Sequence, residues 1–483
     1  MISAICKNAV FLAAALIALP CEGQFRFGQE FKSKNTAICK KLETFAKLPA
    51  LRGASWGILL KNSADGKILA EKSANENFIP ASNMKILTSL NAFHHLGPDY
   101  RFKTELFYSG TIKDSVLDGD LWISGSGDPT IATPGRDKLN AGFFPAVIRL
   151  IQERGIKIIR GSVKMIPTKN PYRGIRTDWP WGDIGNYYGA GIYALNINEN
   201  QFHHYLRADS VGGRARIKTI DSLAADLDFS EINLEIKPEG SPDKSAFEWT
   251  PGSNLIRLIG SIPAGKEPLR VRGSVQNPET VFMKVLEKEM LRAGISIQNF
   301  PSRGDNRVKL AEMNSPPLHQ IAKEVNQNSN NFYTEALAYA LCRNGDACAD
   351  NGWTQLERIS QAVPLPDGYY LADGSGLSLS NRISPAGLTK ALGWSLTQKW
   401  SDYFLNSLPV AGESGTMKNF CKGAGGKIRA KSGTLNRTLC YSGFVQAPKG
   451  NIIFSVMINN YHGPHRQMKD ELGKVLESFT EIR

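Results

Sequence analysis

The chain contains no Cys-x-x-Cys and no His-Glu-x-x-His, so none of its residues is spaced to hold a structural zinc or a metalloprotease metal. No metal site is expected. The pairs His94-His95 and His203-His204 are adjacent rather than helix-spaced, so they point apart and read as structural. No block of Lys and Arg stands out, and no basic run is interleaved with aromatics as in a nucleic-acid motif. The excess of Lys+Arg (58) over Asp+Glu (45), a net charge of +13, therefore reads mostly as solvated surface, with an anionic polymer as the remaining partner class. There is no internal repeat and no low-complexity tract. One stretch, Gly189-Ala190-Gly191-Ile192-Tyr193-Ala194, matches a dinucleotide fingerprint, but no strand precedes it and no βαβ unit surrounds it, so no cofactor is expected.

At 483 residues, with 42% hydrophobic and 21% charged residues, the chain is globular and too long for one ordinary domain. An apolar run from Ala9 to Leu19 follows Lys7 and ends at Pro20-Cys21-Glu22-Gly23. It is short for a membrane span and has the form of a secretory leader, residues 1–23, cleaved near Gly23. Cys21 suggests a lipoprotein signal, which Pro20 fits poorly. No other segment is apolar enough to cross a bilayer, so the mature chain is expected to be exported without a transmembrane segment. Export permits disulfides. Cys342 and Cys348 would close a small polar loop, and Cys421 and Cys440 bracket a strand they would staple to its neighbour; spacing leaves either pairing open.

Three short patches carry the chemistry. In Pro80-Ala81-Ser82-Asn83-Met84-Lys85 a hydroxyl and an amine lie three residues apart where a helix begins, since Ile86, Leu87, Leu90 and Phe93 follow at helical spacing. A helix N-terminus favours developing negative charge, and a neighbouring amine can take the serine proton. Ser329-Asn330-Asn331 and Lys431-Ser432-Gly433-Thr434 follow, the latter ending the strand-like run from Lys427. Ser-x-x-Lys is weak alone, but the ordered triplet is specific, and with it the chain resembles the penicillin-recognising serine enzymes.

Ser55–Leu60 and Lys67–Glu71 read as two strands, and Lys427–Ser432, Tyr441–Ala447 and Asn451–Asn459 as three more, followed by a helix with Met468, Leu472, Val475, Leu476 and Phe479 on one face. One sheet built from both chain ends is expected. The roughly 240 residues between Lys85 and Ser329 exceed one helical subdomain and should hold insertions. Their first part is α/β in pattern, with a helix over Phe144–Gln152 and a strand over Ile156–Met165; the second, about 214–275, is mostly β.

That insertion makes the chain similar to the class C low-molecular-mass penicillin-binding proteins, the penicillin-binding protein 4 type of D-alanyl-D-alanine carboxypeptidase/endopeptidase. Supporting landmarks include Leu96–Phe102, Gly127-Asp128-Pro129-Thr130, Trp179-Pro180-Trp181-Gly182-Asp183 and Ala372–Ser378. The resemblance implies an α/β fold: a transpeptidase-like, serine β-lactamase-like domain with antiparallel sheet and helices (24–97 and 306–483). It would be interrupted by an α/β insertion (98–196 and 270–305) and a nested, mostly β insertion (197–269). It implies that Ser82 attacks a D-Ala-D-Ala peptide to give an acyl-enzyme, with Lys85 as base. Ser329 would bridge the two lysines and pass the proton to the leaving amine.

Asn331 would bind a substrate amide, Lys431, Ser432 and Thr434 a terminal carboxylate, and Gly433 would leave room for an extended substrate beside the strand. Backbone N–H groups of Ser82 and Thr434 would form the oxyanion hole, and Asp183 would pair with a diaminopimelate amine. Serine at 432 replaces the usual threonine of the family. The implied partners are peptidoglycan peptides, with β-lactams as acylating inhibitors, in a Gram-negative periplasm; no oligomeric state follows. A β-lactamase on the same framework would need a group dedicated to activating deacylating water, and no such motif is found. A catalytically idle cell-wall scaffold would not need all these positions. Asp373-Gly374-Ser375-Gly376 lacks the Gly-x-Ser-x-Gly elbow and reads as a loop shaping the site.

Overall fold

A computed structural model describes residues 36–132, 138–167, 174–220, 223, 228–249, 255–301, 306–343, 363–365 and 368–482. The expected leader, Cys21 and the Cys348 half of one candidate disulfide lie outside them.

Both chain ends supply one antiparallel sheet, ordered Ile428–Leu435, Thr438–Ala447, Gly450–Asn459, Ser55–Asn62, Ile68–Lys72. Successive side chains on a strand point to opposite faces. On Gly450–Asn459, Phe454, Val456 and Ile458 enter a core beneath the helices Thr36–Ala46 and His465–Ser478. Ile453 and Met457 enter a second core, with the helices Met84–Leu96, Leu318–Gln327, Asn331–Arg343 and Pro385–Ser395. The result is helices, sheet, helices in three layers. Met84–Leu96 runs through the second core and buries every residue from Met84 to Phe93, as a helix apolar on most sides must. Two of its interior hydroxyls are paired, Thr88 Oγ1 donating to Gly374 O at 2.7 Å and Ser89 Oγ accepting from Asn326 Nδ2 at 3.2 Å.

The inserted segment builds a third core, one continuous apolar cluster from Leu106 to Leu310. Two four-stranded sheets and the helices Phe143–Glu153 and Pro278–Arg292 surround it, joined by two three-stranded sheets formed within 201–274. The expected Ile156–Met165 strand is two strands in different sheets. Ile158–Ile159 pairs with Val116–Asp118, and Val163–Met165 pairs with Leu121–Gly125. The chain switches sheets at Gly161, where a Cβ would lie 2.5 Å from Gly119 O, so a stretch that reads as one strand conceals a crossing that only glycine fits.

The Cys421–Cys440 staple does not form. The Cys421 thiol faces the closing helix, 3.6 Å from Gly473 O, while the Cys440 thiol faces Ile79 O at 3.5 Å. Cys440 belongs to the upper core and Cys421 to the lower, so the sheet separates them.

Candidate active site

Ser82 sits on a 3-10 turn, Ala81–Asn83, that feeds the helix beginning at Met84. Three approaches hold the turn. Asn83 Nδ2 donates to Ser442 Oγ at 2.8 Å, tying it to the sheet. Gly376 meets it from one side, where a Cβ would fall 1.8 Å from Ala81 O, and at φ +82° glycine suits that backbone as well. Gly433 meets it from the other, where a Cβ would lie 2.7 Å from Pro80 O and 3.1 Å from the Ser82 nitrogen. The room expected there for substrate is therefore taken by the serine turn itself. Gly433 lets the strand approach the serine.

Lys85 is fully buried and its Nζ has three partners: Ser82 Oγ at 2.9 Å, Asn331 Oδ1 at 2.7 Å and Ser375 O at 2.6 Å. A neutral amine keeps two N–H bonds and one lone pair. Asn331 Oδ1 and Ser375 O can only accept, so they take the two hydrogens and aim the lone pair at the Ser82 hydroxyl. Asn331 Nδ2 donates to Tyr188 O at 2.9 Å, which fixes which end of the amide faces the lysine. Burial lowers the Lys85 pKa from 10.5 to about 7, against the opposing pull of Asp373 and Glu335. Loss of water, rather than crowding by the second lysine, is thus the main cause.

Lys431 is the other wholly buried lysine. Its Nζ donates to Ser329 Oγ at 2.9 Å and to Ser432 O at 2.6 Å. Burial and then repulsion from Lys85 hold its pKa well below the ordinary value. Ser329 has φ +54°, a left-handed corner that turns its hydroxyl toward the strand. Asn330 next to it caps the following helix, its Oδ1 accepting from Tyr333 N at 3.1 Å. The bridge expected of Ser329 alone is thus divided within one turn, Ser329 touching Lys431 and Asn331 touching Lys85.

Only part of the Ile428–Leu435 strand presents an open edge. Ala430 N donates to Pro409 O, and Ala411 N to Ile428 O, which covers its first half. Thr434 and Leu435 line a cleft of about 560 Å³ with Ser82, Asn331, Asp183, Tyr188 and Leu377. An unpaired strand edge along a cleft suits an extended peptide. Ser432 donates to Thr416 Oγ1 at 2.8 Å, a partner that no sequence pattern marked. Asp183 is half-buried on the opposite wall, where it accepts from Tyr188 OH at 3.1 Å, and burial raises its pKa. Trp181 beside it is 55% exposed.

Of the charged floor of the site, Asp373 lies in the loop that the sequence marked, while Arg176 and Glu335 had no motif to announce them. Asp373 accepts from Gly376 N and Ser378 N at 2.7 Å, from Asn381 Nδ2 at 2.8 Å and from Trp179 Nε1 at 2.9 Å, shaping the loop that carries Ser375. The decoy stretch at 189–194 is structural, Gly191 O accepting from Asn200 Nδ2 at 2.9 Å. Among the described residues no cluster of three or more His, Cys, Asp or Glu could hold a metal, and no helix is long and apolar enough to cross a membrane.

Comparison with known proteins adds three findings. Residues 38–478 match the D-Ala-D-Ala carboxypeptidase 3 (S13) family. A D-alanyl-D-alanine carboxypeptidase of Actinomadura sp. (strain R39) is 27% identical over 94% of this chain and 87% of its own length. DacB of Haemophilus influenzae, a D-alanyl-D-alanine carboxypeptidase, is 24% identical over 91% of this chain and 92% of its own. The crystal structure of penicillin-binding protein 4 (dacB) from Haemophilus influenzae superposes with a TM-score of 0.76 at 21% identity, covering 92% of this chain and 99% of that one, and so shares its fold.

Proposed function

This chain belongs to the D-Ala-D-Ala carboxypeptidase S13 family, and from that premise we propose that it is an exported serine DD-peptidase working through a Ser82 acyl-enzyme. The observation that carries the reading is the 2.9 Å contact between Lys85 Nζ and Ser82 Oγ, with the lysine pKa brought to about 7. At pH 7 roughly half of such a lysine is neutral, against roughly one part in three thousand at an ordinary pKa of 10.5. A base must be unprotonated and within hydrogen-bond reach, and Lys85 meets both conditions.

Ser82 Oγ attacks the carbonyl carbon of the penultimate D-alanine as its proton passes to Lys85. The developing oxyanion is held by the backbone N–H groups of Ser82 and Thr434, two residues that line the cleft. The proton held by Lys85 passes by way of Ser329, polarised by Lys431, to the departing D-alanine nitrogen, which leaves Lys85 neutral again. Water then attacks the ester carbon, its proton returns to Ser82 through the same base, and the shortened peptide leaves. Among the described residues no carboxylate is in contact with Lys431, which pairs with the terminal carboxylate of the substrate, with Thr434 and the Ser432 hydroxyl beside it. Asn331 keeps one N–H and one lone pair for the substrate backbone. Asp183 offers its carboxylate to the free amine of a diaminopimelate side chain, which extends the activity to D-Ala-diaminopimelate cross-links.

The same reading divides the chain into a catalytic domain (24–97, 306–483), an α/β insertion (98–196, 270–305) and a nested β insertion (197–269), places it in the periplasm after loss of a leader, and makes β-lactams covalent inhibitors at Ser82. Fluorescent-penicillin labelling with peptide mapping tests it. The expected result is a long-lived adduct on Ser82, absent in Ser82→Ala, and release of D-alanine from a pentapeptide by the wild-type chain. Labelling elsewhere, or rapid turnover of the drug with no D-alanine release, would overturn it.

A further inference from the structure

Beneath Lys85 lies a set of buried charges that the acyl transfer above does not itself use. Arg176 comes from the inserted segment, Glu335 from the Asn331–Arg343 helix and Asp373 from the loop before Ser375. Arg176 and Glu335 are 5% and 1% exposed, with Nη2 and Oε2 3.4 Å apart. Glu335 Oε1 accepts from Ser375 N at 2.8 Å, and the carbonyl of that same residue accepts from Lys85 Nζ at 2.6 Å. One residue thus carries a carboxylate at its N–H and the candidate base at its C=O. Asp373 is fully buried and anchors the same loop.

Burying three ionisable groups costs more than packing apolar side chains of the same volume, so stability alone is a poor account of their presence. Burial raises the Glu335 pKa, and Arg176 opposes that rise and favours the carboxylate. Burial by itself drives a lysine toward neutrality, and carboxylates nearby drive it back toward the ammonium. A base works best when its proton affinity lies near the working pH, so the two influences must be balanced. We propose that Glu335 and Asp373 are positioning residues that set the proton affinity of Lys85, with Arg176 trimming the influence of Glu335; the inference rests on the acyl-transfer reading of the site. The other groups around Lys85 are Ser82 on its own turn, the neutral Asn331 amide, and Lys431 from the strand. Asp178 lies within electrostatic reach of both Asp373 and Arg176 and forms the outer edge of the set.

The charge of the set, rather than its shape, is what acts. Glutamine at 335 keeps an oxygen for the Ser375 N–H and removes the negative charge that faces Arg176. The test is the rate of Ser82 acylation by a fluorescent penicillin as a function of pH, on the full chain. Glu335→Gln moves the acid-side midpoint down by about one pH unit, Arg176→Gln moves it up, and the double variant returns it toward the wild-type position. A purely structural role slows the reaction in each variant without moving the midpoint in opposed directions. Unmoved midpoints, or shifts of one sign in both single variants, overturn the proposal. If Glu335→Gln does not fold, Arg176→Gln and the double variant still decide through the sign of the first and the cancellation in the second. Absence of acylation in the wild-type chain would instead overturn the acyl-transfer reading and this inference with it.

Discussion

Two lysines face the candidate serines, and they differ in what lies behind them. Each is wholly buried and each holds its Nζ 2.9 Å from a serine hydroxyl. Lys85 stands over Glu335 and Asp373, whereas among the described residues the charge acting on Lys431 is Lys85 itself, a repulsive one. Identical side chains at equal depth are thereby fitted to different work. A lysine balanced near pH 7 can take and return a proton, and one kept short of its charge gains most when an anion arrives.

The strongest attack on that contrast removes one amine at a time. Lys85→Met should cut penicillin acylation by roughly a hundredfold to ten-thousandfold, the usual worth of a general base, with little change in substrate affinity. Lys431→Met should act on a carboxylate-bearing peptide by weakening binding, a loss on the order of 2 kcal/mol for a charge-assisted pair, and should matter far less for an analogue whose carboxylate is replaced by an amide. Similar losses on both analogues, measured as kcat and KM separately, would erase the distinction.

The opposite wall of the cleft offers a weaker lever. Asp183→Ala should lower kcat/KM roughly tenfold for peptides carrying a free diaminopimelate amine and leave those without it unchanged. Equal effects on both peptides would assign Asp183 to holding Tyr188. The smallest expected effect is at Ser432. Its hydroxyl already has Thr416 Oγ1 at 2.8 Å, so Ser432→Thr keeps the group in place and should alter acylation by about twofold or less.

Legibility in the sequence followed distance along the chain. Ser82 and Lys85, or Lys431 and Thr434, are neighbours whose mutual placement follows from one helical turn or one strand, so short strings carry them. The sheet was legible for the same reason, since Trp56, Ile58 and Leu60, or Phe454, Val456 and Ile458, alternate with period two. Arg176 and Glu335 have no such pattern, because lone charges in distant segments meet Asp373 and its loop only through the fold. Cys421 and Cys440 misled for a related reason: spacing in sequence does not reveal that a sheet stands between two thiols. Gly433 was misread because a missing side chain advertises room without naming what fills it, here the Ser82 turn. The run Ile156–Met165 shows how a crossing at Gly161 hides in a stretch whose Ile and Val residues read as one strand.

The direct trial of the Lys85 assignment is the second-order rate of Ser82 acylation by a penicillin, followed from about pH 5 to 9. Lys85 must be neutral to act, and its pKa is lowered to about 7, so the rate should be level above that pH and fall about tenfold per unit below it. A rate that stays flat through neutrality, or keeps climbing toward pH 10 as an ordinary lysine would require, contradicts a buried base tuned to neutral pH.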